Sequence, residues 1–335
     1  MVLPILAWAA IAAVSAVGGT KTVKAIKDNK KASYYAGRAN DIISAASGEA
    51  DEYRKRAHES IESLGRVKLE TVDRTIGSFL KTFGKIKNVN FSDVDKIPEF
   101  KNLNLDSANI AELSRMTVMA ADALKGTVSG VLSGAAAAYG VYGAVGWLAS
   151  AGTGTAISGL SGAAATNATL AWLGGGTLAA GGGGIAAGTM VLGGIVAAPA
   201  LLILGCVMGA KASKNLEEAK SNFAKANDYA EQMKLLCSIC NKISEHAVFM
   251  RNAITVIAKV CDIGVVNLEK TIDEYGTEWN AFPYDAKNKV AALGANVKLL
   301  KTLLDKKILT ESGKPSDESD PECIKQEYPD LVAIS

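Results

Sequence analysis

The sequence lacks charge over one long stretch. Residues 126–210, 85 in all, include no Asp, Glu, Lys, Arg or His, so the 36 basic and 34 acidic side chains all lie in the other 250 residues. A soluble domain rarely leaves so long a segment uncharged, because its helices need a polar face toward water. The absence argues against an ordinary soluble protein and indicates membrane activity with charged, soluble flanks.

Histidine and cysteine are also scarce, with two and five residues. Two histidines leave few candidates for general-base catalysis, and five dispersed cysteines argue against a secreted disulfide framework. Ser161 lacks the second glycine of a nucleophile elbow, and Lys211 follows alanine instead of the glycine of a phosphate-binding loop. The glycine runs 174–176 and 181–184 follow no predicted strand, as a dinucleotide site would require. We predict a protein that is not an enzyme and needs no cofactor.

One cluster has the composition of a metal site. Cys237 and Cys240 are three residues apart, with His246 and Cys261 downstream. Structural zinc sites usually take their ligands from turns, whereas this pair lies inside a helical pattern among apolar neighbours. Free cysteine is commonly a small buried hydrophobe, so we predict packing and no metal.

No segment shows the alternation of a strand between turn signals, and we predict an all-α protein. We expect a helical bundle that flanks a Gly/Ala-rich hydrophobic, transmembrane helical core, in an oligomer. The interpretation divides the chain into a hydrophobic N-terminal helix (1–20), a charged helical region (21–125), an uncharged membrane core (126–210), a C-terminal helical region (211–307) and an acidic tail (308–335).

Apolar residues at three- and four-residue steps predict the buried sides of the helices outside the core. Before the core these residues are Ile61, Leu64, Val72, Ile76, Phe79 and Phe83, then Ile110, Leu113, Thr117, Ala120 and Leu124. After the core they are Phe223, Leu235, Ile239, Ile243 and Val248, then Val290, Leu293, Val297, Leu300 and Leu304 in a last helix over 286–307.

The uncharged core contains 22 Gly and 21 Ala. Its glycines recur at four-residue steps, which places small residues on one helix stripe and lets membrane helices approach closely. We predict helix packing or a pore lining at Gly126, Gly130, Gly134, Gly176, Gly184 and Gly188. About 20 residues cross a bilayer, and the candidate spans are 128–149, 155–173 and 177–208.

This core is only weakly hydrophobic, because Gly, Ala, Ser and Thr make up 55 of its 85 residues. The core can then insert firmly into a membrane only as a packed oligomer, or it stays buried among the chain's own helices until it is released. Both possibilities describe a pore that forms only under certain conditions. A permanent anchor and a hydrophobic hairpin that never meets lipid are the alternatives. The acidic tail is either a disordered end or a segment that docks back on basic helices.

The first 20 residues carry no charge, and five lysines follow between 21 and 31. A signal peptide has its positive charge before the apolar run, so we predict an uncleaved helix whose C-terminal end is held in the cytoplasm. Export with cleavage after Ala16 is the alternative.

The runs TGTAIS (153–158) and GAAATNATLAWLGGG (162–176) resemble a family of bacterial Gly/Ala-rich membrane effectors. The sequence is most similar to the membrane channel effectors of the Hailong antiphage defence system. The similarity covers most of the chain, and residues 153–197 are its specific part. The resemblance implies an oligomeric channel, a tetramer, which single-stranded DNA oligomers from a partner nucleotidyltransferase hold closed until infection.

No ligand motif of the family can be matched here residue by residue. Neutralising phosphates requires Lys or Arg, and the candidates are Lys81, Lys85 and Lys87 or the basic neck 21–38. The alternative is that these lysines bind no ligand and only keep exposed helix faces solvated.

The sequence therefore predicts a membrane effector whose oligomeric pore or ion channel depolarises the bacterial inner membrane in antiphage defence, with its soluble regions in the cytoplasm. Its expected partners are the lipid bilayer, further copies of itself and the DNA oligomer. A secreted α-helical pore-forming toxin and a non-conducting membrane scaffold are the two alternatives.

Overall fold

The computed structural model describes residues 19–89, 107–125, 216–310 and 315–329. Its α-helices are α1 (Gly19–Thr71), α2 (Gly77–Phe83), α3 (Ser107–Lys125), α4 (Leu216–Tyr275), α5 (Tyr284–Asp305) and α6 (Pro321–Glu327). These ranges contain no strand and only two isolated bridges, Lys87 with Glu278 and Leu309 with Pro315. The all-α prediction is confirmed. The predicted core 126–210 and most of the N-terminal helix 1–20 lie outside the described residues.

The chain divides into two units. In the first, residues 19–47 of α1 pack beside residues 216–232 of α4, and the rings of Tyr35 and Phe223 have their centres 5.5 Å apart. Small side chains dominate the interior of this unit: Ala32, Ala39, Ala219 and Ala226 are all buried. Alanine on both helices allows close contact between the two backbones.

In the second unit, α1 and α4 run parallel to each other. Ser60 of α1 contacts Ser244 of α4 at 2.7 Å, and Thr82 of α2, which continues α1, contacts Glu269 of α4 at 3.2 Å. These partners are separated by 184 and 187 positions in the chain. This nearly constant offset means that residue numbers rise in the same direction along both helices.

The buried side of α4 follows a heptad. Every seventh residue is buried, from Met233 through Cys240, Ala247, Ile254 and Cys261 to Leu268. A repeat of seven residues corresponds to 3.5 per turn, the spacing of a left-handed coiled coil. Much of this seam consists of Ala and Cys, which a search for large apolar residues passes over.

The heptad corrects part of the predicted buried side of this helix. Ile243 is buried as predicted, and Phe223 and Ile239 are half-buried. Leu235 is 65% exposed and Val248 is 36% exposed, so both predictions were wrong. The reason is geometric, because Leu235 lies two residues after Met233 and therefore on the opposite side of a helix with 3.6 residues per turn.

α1 and α2 form one long helix that is interrupted by a π-turn, Val72–Ile76. The predicted residues Ile61, Leu64, Val72, Ile76, Phe79 and Phe83 are all buried, which confirms that prediction. α3 packs against the π-turn and α2. Of its predicted stripe, Leu113 and Ala120 are buried, together with Met116. π-turns often mark functional positions in helices, and this one contacts the helix that leads into residue 126.

α4 ends at Tyr275, and the next residue, Gly276, has a φ of +79°, in the left-handed region that favours glycine. The chain then turns back, with Trp279 fully buried, and α5 packs on α4. The five residues predicted for the buried side of α5 are all buried. A Cβ on Gly264 would lie 2.7 Å from Leu293, so glycine allows α4 and α5 to approach closely at this point.

Candidate functional site

The three candidate ligand lysines lie where α2 ends. Lys81 is in the last turn of α2, Lys85 and Lys87 follow the helix, and all three side chains are exposed. The Lys87 backbone accepts a hydrogen bond from Trp279 N and donates one to Thr277 O, at 3.1 and 2.8 Å. These bonds hold the end of α2 against the end of α4, so the lysines project from a well-defined surface.

The predicted glycine positions, Gly126, Gly130, Gly134, Gly176, Gly184 and Gly188, lie outside the described residues. The candidate spans 128–149, 155–173 and 177–208 lie outside them as well. Among the helices that the structure does describe, none combines the length and the apolar character needed to cross a bilayer.

The acidic tail folds back on the helices. Residues 315–329, here called the C-terminal segment, contain a 3-10 turn (Asp317–Ser319) and α6. The Asp320 carboxylate caps α6 by accepting hydrogen bonds from the backbone of Glu322 and Cys323, and Pro321 occupies the first turn. Of the two possibilities for the tail, these residues adopt the docked one.

Apolar contact and backbone pairing dock the C-terminal segment. Ile324 of α6 and Ser319 of the preceding turn are fully buried. The Ser316 amide donates to the carbonyl of Ile308 at 2.8 Å. Burying an isoleucine side chain contributes about 1.5–3 kcal/mol, so Ile324 is the principal apolar anchor of the segment.

His246 of α4 contacts the C-terminal segment through both ring nitrogens. Its Nδ1 lies 3.3 Å from Ser319 Oγ, and its Nε2 lies 3.5 Å from Asp320 Oδ2. The residue types match a catalytic triad, but the Ser319 hydroxyl is buried and donates to the carbonyl of Ser316 at 3.1 Å. The Ser319 hydroxyl is thus engaged within the segment, and the cluster is a docking contact between the segment and α4. Burial lowers the pKa of His246 against the opposing charge of Asp320.

Lys68 of α1 is completely buried near the end of α5 and Glu318 of the C-terminal segment. Its Nζ donates a hydrogen bond to the carbonyl oxygen of Lys306 at 3.0 Å. Burial lowers the pKa of Lys68 to about 7, although the charges of Asp305 and Glu318 favour the protonated form. A group whose pKa lies this close to neutrality changes charge near physiological pH.

Lys306 connects Lys68 with the C-terminal segment. Its carbonyl accepts the Lys68 hydrogen bond, and its own Nζ lies 2.6 Å from Glu327 Oε2 at the end of α6. The Lys306 ammonium group lowers the pKa of the Glu327 carboxyl. Glu318 Oε2 accepts a hydrogen bond from the amide of Lys307 at 3.3 Å. Carboxylates of the acidic tail therefore meet basic and backbone donors at the end of α5.

Lys301 of α5 extends this cluster toward α3. Its Nζ lies 3.2 Å from Glu112 Oε1 of α3 and 2.9 Å from Asp305 Oδ2. Burial opposes the charge of Lys301, but the two carboxylates outweigh it and raise its pKa. We call Glu112, Lys301, Asp305 and Lys68 the polar chain. The polar chain joins α3, α5 and α1. Its buried member Lys68 could have been predicted from the sequence, because it lies four residues from both Leu64 and Val72, on the apolar stripe that is buried.

Cys237, Cys240 and Cys261 are buried at the α4 interface. Burial raises the pKa of Cys240 to about 11 and that of Cys261 to about 12, which leaves them almost entirely as thiols at neutral pH. Their packing positions agree with the interpretation from the sequence. The described residues contain no group of His, Cys, Asp and Glu side chains that could hold a metal ion.

Comparisons with known proteins identify no relative. No family model, no curated protein and no solved structure matches the chain.

Proposed function

We propose that this protein is a membrane effector whose oligomeric pore or ion channel depolarises the bacterial inner membrane in antiphage defence. One observation carries the proposal, the 85 uncharged residues from 126 to 210 between two charged helical regions. In a bilayer such a segment is driven into helix, because unpaired backbone groups cost several kcal/mol each. Its glycine ladders then supply close-packing faces for helix association.

The helical regions around this segment support the proposal. α3 ends at Lys125, directly before the uncharged residues, and α4 begins at Leu216, soon after them. The parallel arrangement of α1 and α4 in the second unit leaves a long connection between them, and the uncharged segment forms most of it. The flanking helices then serve as a water-exposed frame on the cytoplasmic side, where the chain's thiols stay reduced.

Current through liposomes that contain the purified full-length protein tests the proposal. Replacing Gly130 and Gly134 with leucine should abolish the current, since bulky residues block close helix packing. Gly48→Leu is the matched control, because a Cβ at this exposed glycine meets nothing within 4 Å. Absence of current under every condition, with the protein inserted in lipid, would select the scaffold instead. Cleavage after Ala16, seen by mass spectrometry, would select the secreted toxin.

We further propose that an anionic nucleic-acid oligomer, the product of a nucleotidyltransferase, binds the lysines at the end of α2 and holds the channel closed. The exposure of Lys81, Lys85 and Lys87 supports this proposal. Each lysine that contacts a phosphate of a single strand should add about 0.7 to the slope of log affinity against log salt.

Fluorescence anisotropy with a labelled single-stranded DNA oligomer, at several salt concentrations, tests this ligand site. Replacing the three lysines with glutamine should reduce the salt slope by about two. A second triple variant, with glutamine at Lys259, Lys270 and Lys289, removes the same charge from exposed positions elsewhere. Equal losses in both variants would mean that the oligomer senses only the overall charge.

A further inference from the structure

Two parts of the described structure that are distant in sequence meet at the end of α5. One is the C-terminal segment, whose Glu327 contacts Lys306 at 2.6 Å. The other is α3, whose Glu112 contacts Lys301 at 3.2 Å. Lys301 and Lys306 are five residues apart, with Asp305 between them. The last turn of α5 therefore contacts both the tail and the helix that leads into the uncharged segment.

The contacts at this turn are mutually dependent. Asp305 Oδ2 holds Lys301 at 2.9 Å, while its other oxygen, Oδ1, is buried without a hydrogen-bond partner among the described residues. Asp305 and Glu318 both favour the protonated form of Lys68. A partly satisfied buried polar cluster is costly and responds strongly to the loss of one member. Removing Glu318 with the C-terminal segment leaves Asp305 to interact with two lysines, Lys68 and Lys301.

We propose that the C-terminal segment is an autoinhibitory latch that acts through the polar chain to hold α3, the helix that leads into the uncharged segment, in its resting position. The proposal rests on the proposed function. Docked, the segment is held by the burial of Ile324 and contacts Lys306, at the end of α5, through Glu327, and α5 in turn contacts α3 through Lys301. Released, it leaves Lys306 without Glu327 and exposes the site of Ile324. The end of α5 then loosens, and the Glu112–Lys301 contact loosens with it.

Hydrogen exchange of the full-length protein, read by mass spectrometry, tests the coupling without reference to conductance. Ile324→Asp places a charge in a fully buried site and should undock the C-terminal segment. We expect faster exchange in residues 315–329 and also, by about threefold or more, in α3. Unchanged exchange in α4 around Cys261 and Leu268, beyond its contacts with the segment at His246, confirms that the variant remains folded. Faster exchange confined to 315–329 would overturn the proposal.

A double-mutant cycle tests whether Lys301 carries the effect. Lys301→Met should itself raise exchange in α3, and Ile324→Asp should add little to α3 in that background, because residues that act through one network are not additive. Lys289→Met is the matched control. It removes a lysine from the same helix that pairs with Asp285 four residues away, as Lys301 does with Asp305. Full additivity of Lys301→Met and Ile324→Asp would refute the polar chain as the link.

Conductance of the same variants separates the latch from the proposed function. In liposomes supplied with the single-stranded DNA oligomer that is proposed to close the channel, Ile324→Asp should still conduct while the wild-type protein stays closed. Equal conductance of the two would disprove the latch and leave the channel intact. If α3 responds in hydrogen exchange but no variant conducts, the coupling holds and the channel proposal fails.

Discussion

Lys68 Nζ donates a hydrogen bond to the carbonyl oxygen of Lys306 at 3.0 Å, and it does so from a completely buried side chain. The contact joins residues 238 positions apart in the chain. Taking an ammonium group out of water costs several kcal/mol even after relaxation. The lowered pKa of Lys68 indicates that its surroundings, the carboxylates of Asp305 and Glu318 among them, offset only part of this cost. The buried Lys68 therefore lowers the stability of the fold, while its hydrogen bond connects α1 to Lys306 at the end of α5.

This burial predicts an unusual pH dependence. The pKa of Lys68 falls from 10.5 to about 7 on folding. Between these values the unfolded chain binds more protons than the folded chain, so stability should rise with pH from about 7 to about 10. At 1.36 kcal/mol per pKa unit, the whole window corresponds to about 5 kcal/mol at most.

Lys68→Met should abolish this rise, because methionine fills similar space and does not titrate. At pH 7 the variant should be as stable as the wild-type protein or more stable, as for other buried charges replaced by apolar residues. Thermal unfolding at a series of pH values, followed by circular dichroism, makes the comparison. Lys289→Met, at an exposed position, should keep the wild-type profile. A rise that persists in Lys68→Met would mean that another group titrates.

The structure of α4 predicts different losses of stability for Ile243 and Leu235, two residues that the sequence pattern placed on the same buried side. Ile243 is fully buried, and Ile243→Ala should cost about 2–5 kcal/mol. Leu235 is 65% exposed, and Leu235→Ala should change stability by about 0.5 kcal/mol or less. Midpoints of chemical unfolding for the two variants decide the matter. A large loss at Leu235 would show that another molecule covers that side of α4.

These two residues also show how far sequence reasoning reached. Where large apolar side chains filled the interface, as along α2 and α5, their spacing predicted the buried side correctly. Along α4 the buried side includes Ala247, Cys240 and Cys261, and a search for large apolar residues does not find such small side chains. Contacts such as Lys68 with Lys306 could not be predicted, because no local pattern determines which distant carbonyl a buried lysine meets.

Thiol labelling should distinguish the cysteines. Cys323 is exposed on α6, whereas Cys240 is buried and its pKa is raised to about 11. Only the thiolate reacts, and at neutral pH a thiol of pKa about 11 has roughly three-hundredfold less thiolate than an unperturbed cysteine of pKa about 8.5. We expect rapid alkylation of Cys323 and labelling of Cys240 only after denaturation, as read by peptide mass spectrometry. Rapid labelling of Cys240 in the native protein would contradict its position in the interface.

Acid should weaken the docking of the C-terminal segment through His246. Burial lowers the pKa of this imidazole below 6.5. The negative charge of Asp320 opposes the shift, and the positive charge of Lys242 adds to it. The unfolded chain then binds more protons below pH 6.5, so the contribution of neutral His246 to stability is lost as the pH falls below that value. Hydrogen exchange in α6, corrected for the intrinsic pH dependence of exchange, should accelerate at least about twofold between pH 7 and pH 5.5. His246→Gln keeps a polar side chain that does not titrate, and it should remove this acceleration. An equal acceleration in His246→Gln would assign the acid response to the carboxylates of the segment instead.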